Sequence, residues 1–265
     1  MREIDIDELK AIQLDMLKDI HSFCVSHDIK YSLAFGSLLG AIRHKGYIPW
    51  DDDIDIMMRR DDYERFVTTY GSEMYRIVDL QVSTYYCQPY AKVENVLTIV
   101  NEYSEEISEY GVSIDIFPVD NIPNGSLRQK CFYIIKSFLN VIHNLKMVKI
   151  SKKRPIYKNI ILYISHFILY PLSGHYIAMI MSNYASQYSS VNTDYSGIVV
   201  PADSRLAEAI PSYCFDKYIE LEFEKNKFMA IEYYDCYLKA AYGNYMQLPP
   251  VEQRVSHHEN KAWWK

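Results

Sequence analysis

The chain has no two cysteines spaced to work together. Its five, Cys24, Cys87, Cys131, Cys214 and Cys236, are odd in number, widely separated and never in a CxxC arrangement. That excludes a disulfide framework and a zinc knuckle and leaves buried free thiols as the expectation. The opening residues, MREIDIDELKAIQ, lack the apolar run and small-residue cleavage site of a signal peptide, so a cytoplasmic start is expected. A long hydrophobic run is missing too. The stretch IYKNIILYISHFILYPLSGHYIAMIMSNY is broken by Lys158, His166, Pro171 and His175, short of the roughly 20 apolar residues that span a bilayer. Negative charge is absent from Asn121 through Thr193, where nine basic residues stand; the rest of the chain carries all 34 acidic residues and the other 19 of the 28 basic ones. With a net charge of −6, no nucleic-acid partner is expected.

What is present is ordinary globular material: 265 residues, 49% apolar and 23% charged, with an unusual 25 tyrosines. That suffices for one large domain, or for a catalytic domain with an appended helical part. Leu9, Ile12, Met16, Ile20, Phe23 and Cys24 recur at the three-and-four spacing of an amphipathic helix. YSLAFGS predicts a short buried strand ending at Gly36, with a helix capped by Ser37 after it. DIDIMM and GVSIDIFPVD alternate polar and apolar side chains and predict two further strands, the second stopping at Pro118; RDDYERFVTTY predicts a helix between them. The order argues for an α+β fold, a mixed sheet flanked by helices with an additional mainly helical region. Three segments are expected: a catalytic core over 1–120, a basic and apolar, mainly helical insertion over 121–193, and a C-terminal helical part over 194–265. The insertion is expected to pack as buried helices, with a peripheral surface for anionic membrane as its functional alternative.

The chemistry concentrates in YIPWDDDIDIMMRRDDYERF. Four of the five positions from Asp51 to Asp55 are acidic, interrupted by Ile54. On a strand, Asp53 and Asp55 share one face while Ile54 and Ile56 point into the core. Two such carboxylates can converge on Mg²⁺ or Mn²⁺, which supplies the missing positive charge, and Asp115 can add a third ligand from a neighbouring strand. GSLLG lies before this strand, where backbone N–H groups at a helix start can cradle phosphate oxygens. Metal and phosphate cradle together suggest phosphoryl transfer. An EF-hand is excluded, because the glycine after the Asp triplet is missing and Asp62 stands where the bidentate Glu belongs.

The segment YSLAFGSLLGAIRHKGYIPWDDDIDIMMRRDDYERF resembles the defining motif of the LicD family, enzymes of nucleotidyltransferase fold related to the fukutin group. YAKVENVLTIV, SIDIFPVDNIP and YGNYMQLPPVEQRVSHH resemble the motifs that follow, so the agreement runs from residue 31 to 258. The basic middle region has no counterpart in these motifs. The resemblance implies transfer of a phospho-alcohol, phosphocholine from CDP-choline above all and phosphoribitol or phosphoglycerol in related enzymes, to a hydroxyl of a cell-surface glycan or its lipid-linked precursor, with release of CMP. By that resemblance Asp53 and Asp55 are metal ligands, and Asp115 is a third ligand or the base for the acceptor hydroxyl. Gly36 and Ser37 match the family's phosphate-binding pair, although Thr is commoner at the second position. The LPP motif from Tyr242 onward would complete the site.

Arg43, His44 and Lys45, just after the cradle, and Lys92 are candidates for contacting the pyrophosphate, as is Arg254 from the C-terminal motif. Asp51 is expected beside the pair, holding Arg43 or water, and Asp52 is expected to be structural. Trp50 reads as a core residue or as a ring stacking on cytosine. A quaternary ammonium needs ring faces, which Tyr233, Tyr234, Tyr237, Trp263 and Trp264 could provide, though core packing and a frayed tail suit them better. His257 and His258 point apart in an extended segment and are poor metal candidates. Two rivals stand beside the transferase: a DxD glycosyltransferase using a nucleotide-sugar, and a non-catalytic glycan- or nucleotide-binding partner of other enzymes. The leading reading places the protein at the inner face of the cell membrane.

Overall fold

The computed structural model describes residues 1–101, 110–151, 154–200, 209–254 and 261–265. A short strand β1 (Arg2–Ile4) precedes helix α1 (Ile6–Ser26). The Asp5 side chain caps the helix, accepting from the Glu8 N–H at 2.9 Å. Ile12, Met16, Leu17, Ile20 and Cys24 are buried along it, the stripe that the spacing requires. Strand β2 (Ser32–Leu33) then leads into helix α2 (Phe35–Arg43). The strand expected to reach Gly36 therefore stops at Leu33, and Ser37 lies inside the helix, not at its cap. Phe35 makes the corner with φ of 42°, a left-handed conformation costing a non-glycine residue about 1 kcal/mol or more. Its ring is fixed edge-on to Phe117 at 5.0 Å.

Strand β3 (Asp55–Arg59) runs into helix α3 (Arg60–Thr69), and β4 (Tyr75–Val78), β5 (Ala91–Asn95), β6 (Thr98–Asn101) and β7 (Ser113–Ile122) follow. The main sheet has the order β2-β3-β7-β5-β4; β3 and β7 are parallel and the other neighbours antiparallel. This is the α+β class expected. Strand β7 does not stop at Pro118. Its antiparallel pairing with β5 ends at Ile116 and that with β8 (Tyr195–Gly197) begins at Asp120, while Pro118 itself lies opposite Met58 of β3. Pro118 thus sits between the two antiparallel pairings, in neither of which it is asked to donate.

After β7 come helices α4 (Ser126–Met147), α5 (Ile156–Ile168) and α6 (Gly174–Ser186). The last part is richer in strand than in helix: β8, β9 (Ile210–Pro211), the hairpin β10 (Tyr218–Phe223) and β11 (Asn226–Ile231), helix α7 (Tyr234–Tyr242), and β12 (Lys261–Trp264). Among the described residues of 194–265, the helical expectation thus holds for α7 and two short 3₁₀ turns, Ser212–Phe215 and Val251–Gln253, because YIELEF and NKFMAI alternate with period two and form strands. Trp263 and Trp264 are not a frayed tail. Strand β12 is the centre of a second sheet, β1-β12-β6, and the Trp264 indole donates to Glu8 at 3.0 Å.

The main core draws residues from Ile4 to Ala262. A second, small core of Ile122, Phe132, Ile177, Met181, Ala185, Val199 and Val200 joins the helices to the far end of β7. Two histidines tie the same helices to the loop before β5: His143 of α4 bonds the Cys87 carbonyl at 2.7 Å, and His175 of α6 the Tyr86 carbonyl at 2.8 Å. At the start of α3, Arg60 grips Asp120 of β7 with two bonds of 2.7 Å, both side chains buried. This fork clamps β3 to β7 beyond the acidic positions.

Candidate active site

The site begins with strand register. In the parallel pair β3 and β7, Asp55 lies opposite Asp115; in the antiparallel pair β5 and β7, Lys92 lies opposite the same Asp115. Laterally paired residues share a sheet face, so Asp55, Asp115 and Lys92 form one row across three adjacent strands. Ile54, Ile56, Ile114 and Ile116 alternate with them into the core, each at most 1% exposed. The Lys92 ammonium, itself almost buried, donates to Asp115 Oδ1 at 2.7 Å. A cleft of about 520 Å³ opens at the Lys92 and Asp115 end of the row, walled by Asp52, Asp53, Gln88, Tyr90, Lys92 and Asp115 among others.

The electrostatics of the row are unbalanced. Burial, followed by the charges of Asp53, Asp115 and Asp51, pushes the Asp55 carboxyl well above the usual carboxylate range, and Lys92 opposes this only in part. An oxygen-only donor set short of positive charge suits a hard divalent cation. Asp53, Asp55 and Asp115 are the residues that could hold one. As they stand, no three His, Cys, Asp or Glu side chains among the described residues form a group that could hold a metal ion, and the Lys92 ammonium sits on one Asp115 oxygen.

Gly36 and Ser37 lie under this row, in the first turn of α2. A Cβ at Gly36 would strike the Asp51 carboxylate, so the glycine leaves room for an acidic group beside the row. The buried Ser37 hydroxyl accepts from the Asp55 N–H at 2.9 Å, fixing where β3 begins. No side chain caps α2, and the N–H groups of its first turn are the kind that bind anions.

On the flank, Arg43 donates to the Tyr245 carbonyl at 2.9 Å and to His44 Nε2 at 2.8 Å. Arg254 donates to the Pro249 carbonyl at 2.9 Å and stacks over Trp50 at 5.6 Å. The two guanidiniums feel each other, because burial first and Arg254 second lower the pKa of Arg43. The C-terminal motif is thus brought to the acidic segment, with Trp50 packed partly against the core. Tyr242 belongs to the same flank. Burial of its hydroxyl, then Asp55, Asp51 and Asp53, push it above the usual phenol range, while Arg43 pulls the other way.

Some expected groupings do not form. Tyr237 is a core residue whose hydroxyl meets the Phe35 N–H at 3.5 Å, and Tyr233 stands at the surface edge-on to Tyr213. Neither Tyr237 nor Tyr233 joins Trp263 and Trp264 in a cage, since the tryptophans belong to β12. His257 and His258 lie outside the described residues. Other groups at the site carried little signal. Tyr90 stands just before β5 begins, and the Lys92 ammonium lies over its ring at 5.7 Å. The Arg60–Asp120 clamp and the approach of Gln88 depend on tertiary contacts that no spacing announces.

Comparison with known proteins adds a second line of evidence. The family described as LicD/FKTN/FKRP, nucleotidyltransferase domain, matches residues 28–153, which takes in the acidic row and continues through α4. The chain is 30% identical over 273 residues to the lipopolysaccharide cholinephosphotransferase LicD of Haemophilus influenzae, with 99% of each chain covered. The basic middle region therefore lies within the alignment with a relative. Shorter matches reach uncharacterized proteins of Rickettsia typhi, 45% identical over 62 residues, and Rickettsia prowazekii, 41% over 63. These cover 23% of this chain and 20% and 24% of theirs.

Proposed function

The chain belongs to the LicD family, and from that premise we propose that it transfers phosphocholine from CDP-choline to a hydroxyl of a cell-surface glycan or its lipid-linked precursor, releasing CMP. The observation that carries this reading is the row of Asp55, Asp115 and Lys92, set side by side on three strands within the segment the family shares. Phosphoryl transfer needs the attacking and leaving oxygens in line and charge held on the oxygens around phosphorus. The acceptor hydroxyl oxygen bonds to the phosphorus next to choline, the bond from that phosphorus to the bridging oxygen breaks, and CMP leaves with the electron pair.

Each side chain has a part in this proposal. Asp53 and Asp55 hold a divalent cation, Mg²⁺ or Mn²⁺, which when bound offsets charge on the diphosphate. Asp115 is a further ligand or takes the acceptor proton. Lys92 orients Asp115 and sets a positive charge at the cleft wall. Gly36 and Ser37 present the first turn of α2 to a phosphate, and Arg43 and Arg254 approach from the flank. The name of the Haemophilus relative supports choline as the alcohol and lipopolysaccharide as the acceptor class.

Thermal stabilisation tests the donor: CDP-choline, CDP-ribitol, CDP-glycerol and UDP-sugars, each with and without Mg²⁺, are compared for a rise in Tm by mass action. A Mg²⁺-dependent rise with CDP-choline, followed by CMP release and a product heavier by one phosphocholine ester, is the expected result. A rise with UDP-sugars alone and a product heavier by one hexose would replace this reading with a glycosyltransferase.

A further inference from the structure

Helix α5 is dressed for an environment other than water. Of its residues only Leu162 is buried. Ile156, Ile160, Ile161, Ile164, Phe167 and Ile168 are all more than half exposed, Phe167 by 84%. At 100° per residue they fall with Tyr157 and Tyr163 on one broad arc, while Lys158, Ser165 and His166 lie opposite. The arc is wider than the narrow seam of a coiled coil. Helix α4 adds an exposed stripe of Leu127, Ile134, Phe138 and Val141. Exposed apolar surface of this extent marks an interaction face.

Charge selects the partner. Along α4, α5 and the turn between them stand Arg128, Lys130, Lys146, Lys149, Arg154 and Lys158, with no carboxylate from Asn121 to Thr193. A second copy would bring the same positive charges together and be repelled. An anionic bilayer offers hydrocarbon for the arc and negative headgroups for the lysines and arginines at once. Among the described residues no helix is long and apolar enough to cross a membrane, so the fitting geometry is a helix lying in the interface. Tyr163 at one margin of the arc, Tyr157 in the first turn of α5 and the 83%-exposed Tyr170 just past its end are the residue type that favours headgroup depth.

We propose that the exposed faces of α4 and α5 seat the protein on anionic lipid, with α5 lying in the membrane interface and the surrounding basic residues on the headgroups. This stands apart from the transfer reaction and is testable without it. The full chain is floated with vesicles of phosphatidylcholine alone and with one-third phosphatidylglycerol, at low and high salt. Binding to the anionic vesicles that weakens at high salt is expected. Ile164→Glu with Phe167→Glu should lower it at least about tenfold. Both side chains are exposed, so an unchanged circular dichroism spectrum and Tm certify the fold. In Phe167→Trp, quenching of the new indole by brominated lipid tells insertion from mere adsorption. No binding at low salt, full binding by the double Glu variant, or an indole emission from Phe167→Trp that brominated lipid leaves unquenched would each overturn the proposal. So would a dimer, seen by light scattering without lipid, that the double Glu variant dissolves.

Discussion

The sheet and the three helices that follow it treat charge in opposite ways. On the sheet, Asp55, Asp115 and Lys92 are gathered at one point, partly desolvated and fixed by register, with Ile54, Ile56, Ile114 and Ile116 sealed behind them. On α4 and α5 the charge has one sign, is spread over a surface, and stands beside isoleucines that face outward. The first arrangement suits chemistry at a single phosphorus, since a low local dielectric strengthens every interaction there. The second suits an extended partner. The lesson is that where a protein puts its unfavourable exposures, half-buried carboxylates in one region and bare isoleucines in the other, tells more about function than how many it has.

The sharpest way to break the comparison is to remove charge from the row. Asp53→Ala or Asp55→Ala is expected to lower CMP release by at least about a thousandfold. Asp55→Asn should meanwhile raise the Tm of the metal-free protein, because an amide in a half-buried site among three other carboxylates relieves repulsion and desolvation. Turnover within about tenfold of the parent in Asp53→Ala or Asp55→Ala would remove the metal from the mechanism.

Next in size is the clamp behind the row. Asp120→Asn leaves Arg60 as an unbalanced buried charge and is expected to cost about 3–5 kcal/mol in denaturant melts. An unchanged midpoint would show that β3 and β7 need no such fastening. Lys92→Met should lower kcat by about a hundredfold, with a smaller loss of stability, since it takes the positive partner from Asp115 while keeping the packing of the stem. If kcat stayed and only KM rose, Lys92 would be a binding residue and no more. The smallest effect belongs to the helices: Ile161→Lys on the exposed arc should change stability by no more than about 0.5 kcal/mol and leave transfer to a soluble acceptor intact. A large loss of activity there would join two regions that look separate in charge.

Much of the row was legible in the primary structure, because period-two alternation needs only local information: DIDIM and SIDIF announce which side each aspartate faces. What could not be read was that Lys92 would lie beside Asp115, since register between strands distant in sequence is settled by the core and not by either segment alone. The same limit explains β12. Its pairing with β1 joins the two ends of the chain, and nothing in KAWW distinguishes a central strand from a tail. Ser37 failed differently. A serine before an apolar run reads as a cap, yet Phe35 takes the strained corner, the helix starts earlier, and the hydroxyl is left to hold the Asp55 amide. In α5 hydrophobicity misled in the other direction, because an apolar helix predicts burial and this one is exposed.

The side-by-side placement of Asp55 and Asp115 also bears on how such a chain can change length over generations. Shifting either strand by one residue would turn its aspartate into the core and its isoleucines out to the cleft. A single-codon insertion or deletion within 54–59 or 113–119 is therefore far more damaging than most substitutions there. A similar event at 188–194, between α6 and β8, displaces no member of the row. Lineages should accordingly accumulate their gaps around the helices and keep these two strands at constant length, even where the residues themselves drift.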